Sequence, residues 1–277
     1  MLDTLKRHWP EYLIEAGGLF GFLSIASLLA ALLEHPSSPV NKAISDATLR
    51  HALLGLGMGS YIATLVYSAW GKQSGAHINP AVTWAFFRLG KIKWPDAVFY
   101  TFAQFIGAIV AAQLMNLVLG DLYKHPSLNY NLTLPGADGM AVAFFAEFLI
   151  SFLLMLVVLI AINSKKLEPF AGAITGVMIA CYLAFEIPYS GMSLNPARTF
   201  GSAFLARDWT GLWIYFSAPV LAMLLAAEVF RRFSKNQHFA CAKLQHGKGR
   251  CIFCDKEAPN FPVEEKEDEN AKDKKEK

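Results

Sequence analysis

One short pattern occurs twice in the chain. Residues 74–83 read Ser-Gly-Ala-His-Ile-Asn-Pro-Ala-Val-Thr, and residues 191–199 read Gly-Met-Ser-Leu-Asn-Pro-Ala-Arg-Thr. In each copy a loop that contains small residues leads into Asn-Pro-Ala, at Asn79 and at Asn195. Asparagine is a good N-cap, and proline at the first helical position lacks only an N–H that would have no partner there. Each copy therefore predicts a loop that becomes a helix at its asparagine.

The composition is that of a membrane protein. Of the 277 residues, 54% are hydrophobic and 17% are charged, whereas soluble domains carry about 25% charged residues. Apolar stretches near the ~20 residues that a bilayer core requires predict six spanning helices, at approximately 11–33, 51–70, 95–118, 140–163, 170–188 and 211–232. The stretch after Lys6-Arg7 is itself of spanning length, so it is interpreted as the first span and not as a cleavable signal peptide.

The two Asn-Pro-Ala segments are too short to be further spans. A helix of about 10 residues, as predicted for 79–88 and 195–204, rises only about 15 Å. Inside a bilayer such segments are tolerated where protein buries them or where they line a cavity. Each half then has three spans and one half-helix, and because three is odd the halves form an inverted repeat. The predicted fold is an all-α membrane protein of six transmembrane helices and two half-helices.

The paired stretches resemble the signature of the major intrinsic protein family, the aquaporins and glycerol facilitators. The first copy matches the family pattern Ser-Gly-x-His-x-Asn-Pro-Ala-Val-Thr throughout, and the second matches Asn-Pro-Ala-Arg and its small flanking residues. The resemblance extends over roughly residues 11–233. It implies a passive channel for water and small neutral solutes that works in a lipid bilayer, is not an enzyme, and needs no cofactor for transport. It also implies a homotetramer, the usual assembly of the family.

Helix electrostatics explain how such a site would select its solute. The N-terminus of a helix presents unpaired N–H groups and the positive end of the helix dipole. Two such ends that meet near the membrane midplane repel cations and protons, yet they can donate hydrogen bonds to a neutral oxygen. Each asparagine adds a side-chain amide. The residues of this central constriction are Asn79, Pro80, Ala81, Asn195, Pro196 and Ala197.

A second constriction is implied by the resemblance. Arg198 is its cationic residue, and a charge at that depth in a membrane is functional by default. Counting from the asparagines as in the family places the other filter positions at Gly59, Leu183 and Met192. Water-specific relatives usually carry Phe and His at the first two positions, and glycerol facilitators carry Trp and Gly. This chain has neither pair.

The missing filter aromatics leave two interpretations open. Either the opening between the four filter residues is wider and less polar than in water-specific relatives, or a neighbour such as Tyr61 or Tyr182 fills the space left by the missing aromatic side chain. Other positions favour the water branch, because Thr199 stands where glycerol facilitators typically have Asp and Ala203 is small. Water is the expected main permeant, and a facilitator of glycerol or other small solutes is the alternative.

Two carboxylates lie in apolar spans, Glu15 in the first span of one half and Glu147 in the first span of the other. Their symmetric places and the resemblance assign each to the support of its half-helix loop, and His77 is expected to orient the first loop or to line the inner vestibule. A rival hypothesis from another class is a secondary transporter that couples to protons through the two glutamates.

The chain ends in a different kind of sequence, so we divide it into a channel domain, 1–235, and a cytoplasmic tail, 236–277. Cys241, His246, Cys251 and Cys254 form Cys-x4-His-x4-Cys-x2-Cys, which suits a tetrahedral Zn²⁺ ion. A disulfide is the weaker explanation in a reducing cytoplasm. A further rival is therefore a metal-sensing membrane protein whose tail regulates the pore. The charged stretch 256–277 is expected to be disordered.

Lysine and arginine at the span ends predict the orientation. They are concentrated on one side, for example at Lys91, Lys93, Lys165 and Arg231, and this side is cytoplasmic by the positive-inside rule. Both termini are then cytoplasmic, and the membrane is expected to be a plasma membrane or a cell inner membrane. No cluster of basic residues with aromatics suggests a nucleic-acid partner, although the net charge is +3.

Overall fold

The computed structural model describes residues 1–234, 241–247 and 251–254, and these residues contain helices and loops but no strand. The α-helices, in chain order, are α1 Leu2–Glu34, α2 Pro39–Ala43, α3 Ala47–Tyr67, α4 Ala69–Ser74, α5 Pro80–Arg88, α6 Trp94–Leu119, α7 Asp121–Lys124, α8 Gly139–Ile162, α9 Ala171–Phe185, α10 Ile187–Ser190, α11 Pro196–Ala206 and α12 Leu212–Phe233. The six long ones correspond to the six predicted spans, which confirms the predicted fold class. The prediction of disorder for 256–277 lies outside the described residues.

The six long helices differ in how well their length and hydrophobic composition suit a membrane span. Five of them, α1, α6, α8, α9 (with the short turn before it) and α12, are long and apolar enough to cross a membrane. Helix α3 has a comparable length but carries Arg50 and His51 in its first turns and glycines at 55, 57 and 59. Its reduced hydropathy is compatible with a spanning position because one face is buried against α9.

The long helices pack in a pattern that repeats between the two halves. Helix α1 packs against α6 in the first half, and α8 packs against α12 in the second. Helices α3 and α9, which are equivalent in the two halves, pack against each other and join them. The half-helices cross over: α5 contacts α12, and α11 contacts α6. This exchange buries both half-helices between the two repeats.

Each half-helix begins where its sequence predicts. The side-chain oxygen of Asn79 accepts the N–H of Ala81 over 2.9 Å, and that of Asn195 accepts the N–H of Ala197 over 3.0 Å. Pro80 and Pro196 then occupy the first helical position, which suits the fixed backbone angle of proline. Both starts are buried, so the caps replace water as hydrogen-bond partners of the first turn.

Small residues allow the close approach of the helices. A Cβ at Gly107 of α6 would lie 2.2 Å from the carbonyl oxygen of Ala16 in α1, and one at Gly59 of α3 would lie 2.2 Å from that of Gly176 in α9. Real Cβ atoms do not come so close, so any side chain at these positions would push the helix axes apart. Close packing of this kind is the usual source of helix association in a membrane, where lipid is as apolar as the helices themselves.

We expect Gly107→Ala to destabilise the fold, because the new methyl group meets backbone atoms of α1 that cannot move independently. Overpacking costs about 1–3 kcal/mol, and the melting temperature in detergent micelles should fall by several degrees. The matched control is Gly17→Ala on α1, where a Cβ would meet no atom within 4 Å. If both variants melted at the wild-type temperature, the α1–α6 contact would be looser than described.

Candidate functional site

A cavity of about 290 Å³ passes both Asn-Pro-Ala turns. At one end, here called the loop end, its wall includes Ser127, Leu128 and Asn131 from the segment between α7 and α8. At the other, the tail end, its wall includes Leu244 from the C-terminal segment. Between the ends most of the wall is apolar, formed by residues such as Met58, Ile62, Leu154, Val158 and Ile179.

The two asparagines join the half-helices to each other. The Asn79 amide donates a hydrogen bond to the Leu194 carbonyl, and the Asn195 amide donates one to the Ile78 carbonyl, each over 2.8 Å. A primary amide has two N–H donors, so this bond uses one of them on each asparagine. Both residues also line the cavity. The remaining N–H of each amide is thus available to a solute oxygen at the same level of the cavity.

The loop before each half-helix is bound by a buried carboxylate. Glu15 accepts the backbone N–H groups of His77, over 3.1 Å, and of Ile78, over 2.6 Å. Glu147 accepts those of Ser193, over 2.6 Å, and of Leu194, over 2.8 Å. Both carboxylates are fully buried and absent from the cavity wall. Since the donors belong to non-helical backbone, each carboxylate supplies the partners that a helix would otherwise supply.

These loops carry backbone strain at matching positions. Ala76 and Ile78 in the first loop have φ values of 55° and 40°, and Met192 and Leu194 in the second have 52° and 59°. A side chain in the left-handed region costs on the order of 1–3 kcal/mol. The surrounding hydrogen bonds to Glu15 and Glu147 hold the loops in this shape.

Several residues of this scaffold are not evident from the paired motif alone. The hydroxyl groups of Tyr100 and Tyr215 donate to the carbonyls of Ser74 and Ser190, each over 2.7 Å. The serine side chains in turn donate to Glu15 and Glu147. The signal that finds Ser190 is the spacing between the asparagines, because the same offset that relates Asn79 to Asn195 relates Ser74 to Ser190.

The structure places three of the four predicted filter residues on the cavity wall. Leu183, Met192 and Arg198 line it. Arg198 has one terminal nitrogen, Nη1, that is buried and has no hydrogen-bond partner among the described residues. A cationic donor without a protein partner can bind a polar molecule that reaches it.

Gly59 differs from the prediction, since it does not line the cavity. It faces the backbone of Gly176 at the α3–α9 contact, and the preceding residue, Met58, lines the wall instead. The side of α3 at Gly59 packs against α9, so this position meets the helix contact and not the cavity. Neither Tyr61 nor Tyr182 lines the cavity, and the Tyr61 hydroxyl donates to the Gly18 carbonyl over 2.7 Å. Neither tyrosine therefore fills the predicted filter position, although another aromatic side chain, Phe22 of α1, does line the cavity.

His77 lies between the first loop and the tail. Its Nδ1 is 3.1 Å from the Thr83 hydroxyl, and its Nε2 donates to the Ala242 carbonyl over 2.8 Å. The ring stacks on Phe86 and on Phe253, with centroid distances of 5.0 and 5.9 Å. His77 also contributes to the cavity wall. It thus contacts both the first loop and the tail, and the sequence did not predict the contact with the tail.

The predicted metal ligands of the tail come together. The candidate ligand atoms of Cys241, His246, Cys251 and Cys254 all lie within 4.8 Å of one another. Cys241 and Cys251 are buried, with their sulfurs 3.4 Å apart, and His246 Nε2 is 3.3 Å from the Cys254 sulfur. The hydrogen bond from the Cys241 thiol lowers the pKa of the Cys251 thiol, which favours the thiolate, the form that binds metals.

Comparison with known proteins agrees with this architecture. The family model described as "Major intrinsic protein" matches residues 9–230. The chain is 35% identical over 170 residues to aquaporin NIP1-3 of Oryza sativa subsp. japonica, covering 61% of this chain and 57% of that protein. It is 35% identical over 184 residues to aquaporin-4 of Mus musculus, covering 64% of this chain and 55% of that protein. For these two, the matched part spans little more than half of the relative.

A third relative is matched over more of its length. The chain is 34% identical over 196 residues to the probable aquaporin NIP-type of Nicotiana alata, covering 70% of this chain and 69% of that protein. Among solved structures, the aquaglyceroporin from Plasmodium falciparum superposes with a TM-score of 0.65 at 23% identity, covering 83% of this chain and 96% of that one. The structural likeness supports the fold.

We expect Glu147→Gln to destabilise the second loop. Glutamine keeps the size but presents an N–H₂ group to donors, so at least one backbone N–H among Ser193 and Leu194 loses its acceptor. Hydrogen bonds to charged groups contribute about 1.5–3 kcal/mol each, and the melting temperature in detergent should fall accordingly.

The control is Ser151→Ala, one turn along α8, because the Ser151 hydroxyl is buried without a hydrogen-bond partner among the described residues. Its loss should leave stability unchanged or slightly higher. Equal melting temperatures for Glu147→Gln and the wild type would show that Glu147 does not hold the loop.

Proposed function

The chain belongs to the major intrinsic protein family, and from this premise we propose that it is a passive membrane channel for water and small neutral solutes. The observation that carries the proposal is the reciprocal pair of bonds between Asn79 and Leu194 and between Asn195 and Ile78. They set two half-helix N-termini and two spare amide donors at one level of a mainly apolar cavity. A neutral oxygen gains hydrogen bonds there, while a cation meets the positive ends of two dipoles.

Arg198 supports a second point of selection. It lines the cavity and retains an unpartnered buried N–H group, so it can donate to a passing water and repel a cation. With Leu183, Met192 and Met58 on the same cavity, the proposed filter is less polar than one with Phe and His. Water is the proposed main permeant, and this apolar wall also favours passage of small neutral solutes such as glycerol.

The coupled-transporter alternative is less well supported. A carboxylate that exchanges protons with the permeation path must reach it, but Glu15 and Glu147 do not line the cavity. Their oxygens accept backbone and hydroxyl donors instead, including Ser74 over 2.8 Å and Ser190 over 2.7 Å. Protonation would remove acceptors from the loops, which suits a structural role and opposes a cycling one.

We also propose the extent of the channel domain, its orientation in the membrane and the membrane in which it lies. Residues 1–235 form the channel domain, the tail end of the cavity faces the cytoplasm, and both termini lie there because lysine and arginine are concentrated on that side. The membrane is a plasma or inner membrane. Many large apolar side chains are exposed on the long helices, among them Leu117, Phe145 and Val177, and these faces suit lipid contact or a homotetramer.

The test is stopped-flow light scattering on vesicles that contain the purified full-length protein, with separate osmotic gradients of an impermeant solute and of glycerol. Because the Cys/His cluster adjoins the tail end, each gradient is applied to zinc-supplemented and to chelated vesicles. We expect water flux well above that of protein-free vesicles in at least one of these states. Flux equal to the protein-free background in both would overturn the channel proposal.

We expect Arg198→Ala to raise glycerol flux relative to water flux about tenfold, as for a barrier lowered by about 1.4 kcal/mol, because a bulky cationic donor leaves the cavity wall. The matched control is Arg88→Ala, whose side chain pairs with Glu228 away from the cavity and whose loss should leave the flux ratio unchanged. An unchanged ratio in Arg198→Ala would show that this arginine does not select solutes.

A further inference from the structure

The Cys/His cluster has the geometry of a metal site. Its four ligand atoms lie within 4.8 Å of one another, and ligand atoms about 2.3 Å (sulfur) and 2.0 Å (nitrogen) from a tetrahedral Zn²⁺ would be separated by roughly 3.5–3.8 Å. The measured 3.4 Å between the Cys241 and Cys251 sulfurs and 3.3 Å between His246 and Cys254 are within a few tenths of an ångström of this. Three thiols and one imidazole are a common ligand set for structural zinc.

The surroundings of the cluster also fit a bound ion. The second ring nitrogen of His246, Nδ1, is 3.0 Å from the Gly247 carbonyl, which fixes the tautomer so that Nε2 faces Cys254, as in most zinc–histidine sites. Three thiolates and Zn²⁺ would carry a net negative charge. The buried Lys243 lies in the same segment, and its positive charge would partly offset this negative charge.

The cluster holds a segment that is bonded to the first loop. Three successive residues make these bonds: Ala242 accepts from His77 over 2.8 Å, the Lys243 ammonium donates to the Lys72 carbonyl over 2.8 Å, and the Leu244 N–H donates to the Gly75 carbonyl over 3.2 Å. Ala242 is fully buried in this contact. The segment therefore docks on the loop that leads to Asn79.

Leu244 brings this segment into the permeation path. It is 6% exposed, packs with the main core and forms part of the wall at the tail end of the cavity. Phe253, from the other part of the cluster, stacks on His77. An apolar side chain at a narrow pore mouth opposes the entry of water, because water there loses hydrogen bonds without replacement.

We propose that a Zn²⁺ ion bound by Cys241, His246, Cys251 and Cys254 fastens the described segments 241–247 and 251–254 over the tail end of the pore and closes it. Loss of the ion releases the segment, removes Leu244 from the mouth and opens the channel. The inference rests on the proposed channel function. Binding displaces thiol protons and involves no redox change. So short a segment has too small a core to hold a shape alone, and the ion supplies the stabilisation.

The test uses the full-length protein, purified in a thiol-free reductant so that no disulfide forms. Zinc is measured by elemental mass spectrometry, and water permeability by stopped flow in vesicles that are zinc-loaded, chelated, and reloaded with Zn²⁺. We expect about one zinc per protomer. Chelation should raise permeability about tenfold if about nine-tenths of the zinc-loaded channels are closed, and reloading should reverse the change.

Three variants separate the metal site from the closure. Cys251→Ser/Cys254→Ser should bind no stoichiometric zinc and should conduct at the chelated wild-type rate with or without Zn²⁺. Leu244→Gly should keep its zinc but conduct when loaded, an effect that loss of a merely structural ion would not give. Cys181→Ser changes a cysteine of α9 outside the cluster and should behave as the wild type.

The outcomes that overturn the inference are distinct. Zinc well below one per protomer in reducing buffer would overturn the metal site. Stoichiometric zinc with equal permeability in loaded and chelated vesicles would overturn the closure. If the wild type and the cluster variant both conducted at the protein-free background in every state, the proposed channel function would fail, whatever the zinc content.

Discussion

The structure depends on the requirement that backbone polar groups inside a membrane find partners within the protein. A continuous helix usually meets this requirement, but two loops here enter the membrane without helical hydrogen bonds. Glu15 and Glu147 supply the missing acceptors, because each accepts two successive backbone N–H groups of a loop and a serine hydroxyl as well. A carboxylate is expensive to bury, and these contacts offset that cost. The loops can then adopt the strained shape that points both half-helices inward.

Hydrogen bonds from Asn79 and Asn195 connect the two repeats at one level of the cavity. Each amide caps its own half-helix with its oxygen and binds the opposite loop with its nitrogen. The bond from one repeat therefore positions the dipole of the other, and neither half-helix can move without affecting both. A site made this way is rigid, and it keeps one N–H on each side for the solute. The same groups thus serve the fold and the selection.

The tail adds a connection between this centre and the C-terminal segment. His77 and Gly75 belong to the loop that Glu15 holds, and they also bind Ala242 and Leu244. A change in the Cys/His cluster would therefore act first on the mouth of the cavity and on the loop before Asn79. Gly75, with a φ of 102°, needs the freedom of glycine, and a Cβ there would lie 2.6 Å from the Ala242 carbonyl.

Much of the architecture was predictable from the amino-acid sequence. The apolar lengths indicated six spans, and the two Asn-Pro-Ala motifs indicated half-helices, because capping and span length are local properties. The spacing Cys-x4-His-x4-Cys-x2-Cys indicated a ligand set for the same reason. The structure differs from the expectation at Gly59, which packs against the backbone of Gly176 while Met58 lines the cavity. Which face of α3 meets the cavity depends on how α3 packs against α9, and the sequence around Gly59 does not encode that contact.

Only the tertiary structure decided what the distant residues do together. The sequence identified Glu15, Glu147 and the cysteines as chemically notable, but it contained no signal that Ala242 and Leu244 bind a loop more than 160 positions earlier. Nor did it relate Tyr100 and Tyr215 to the serines they bind. Local patterns determine caps, spans and ligand spacing because they involve neighbours along the chain. Contacts across the bundle depend on how all helices pack at once, and no local pattern encodes that.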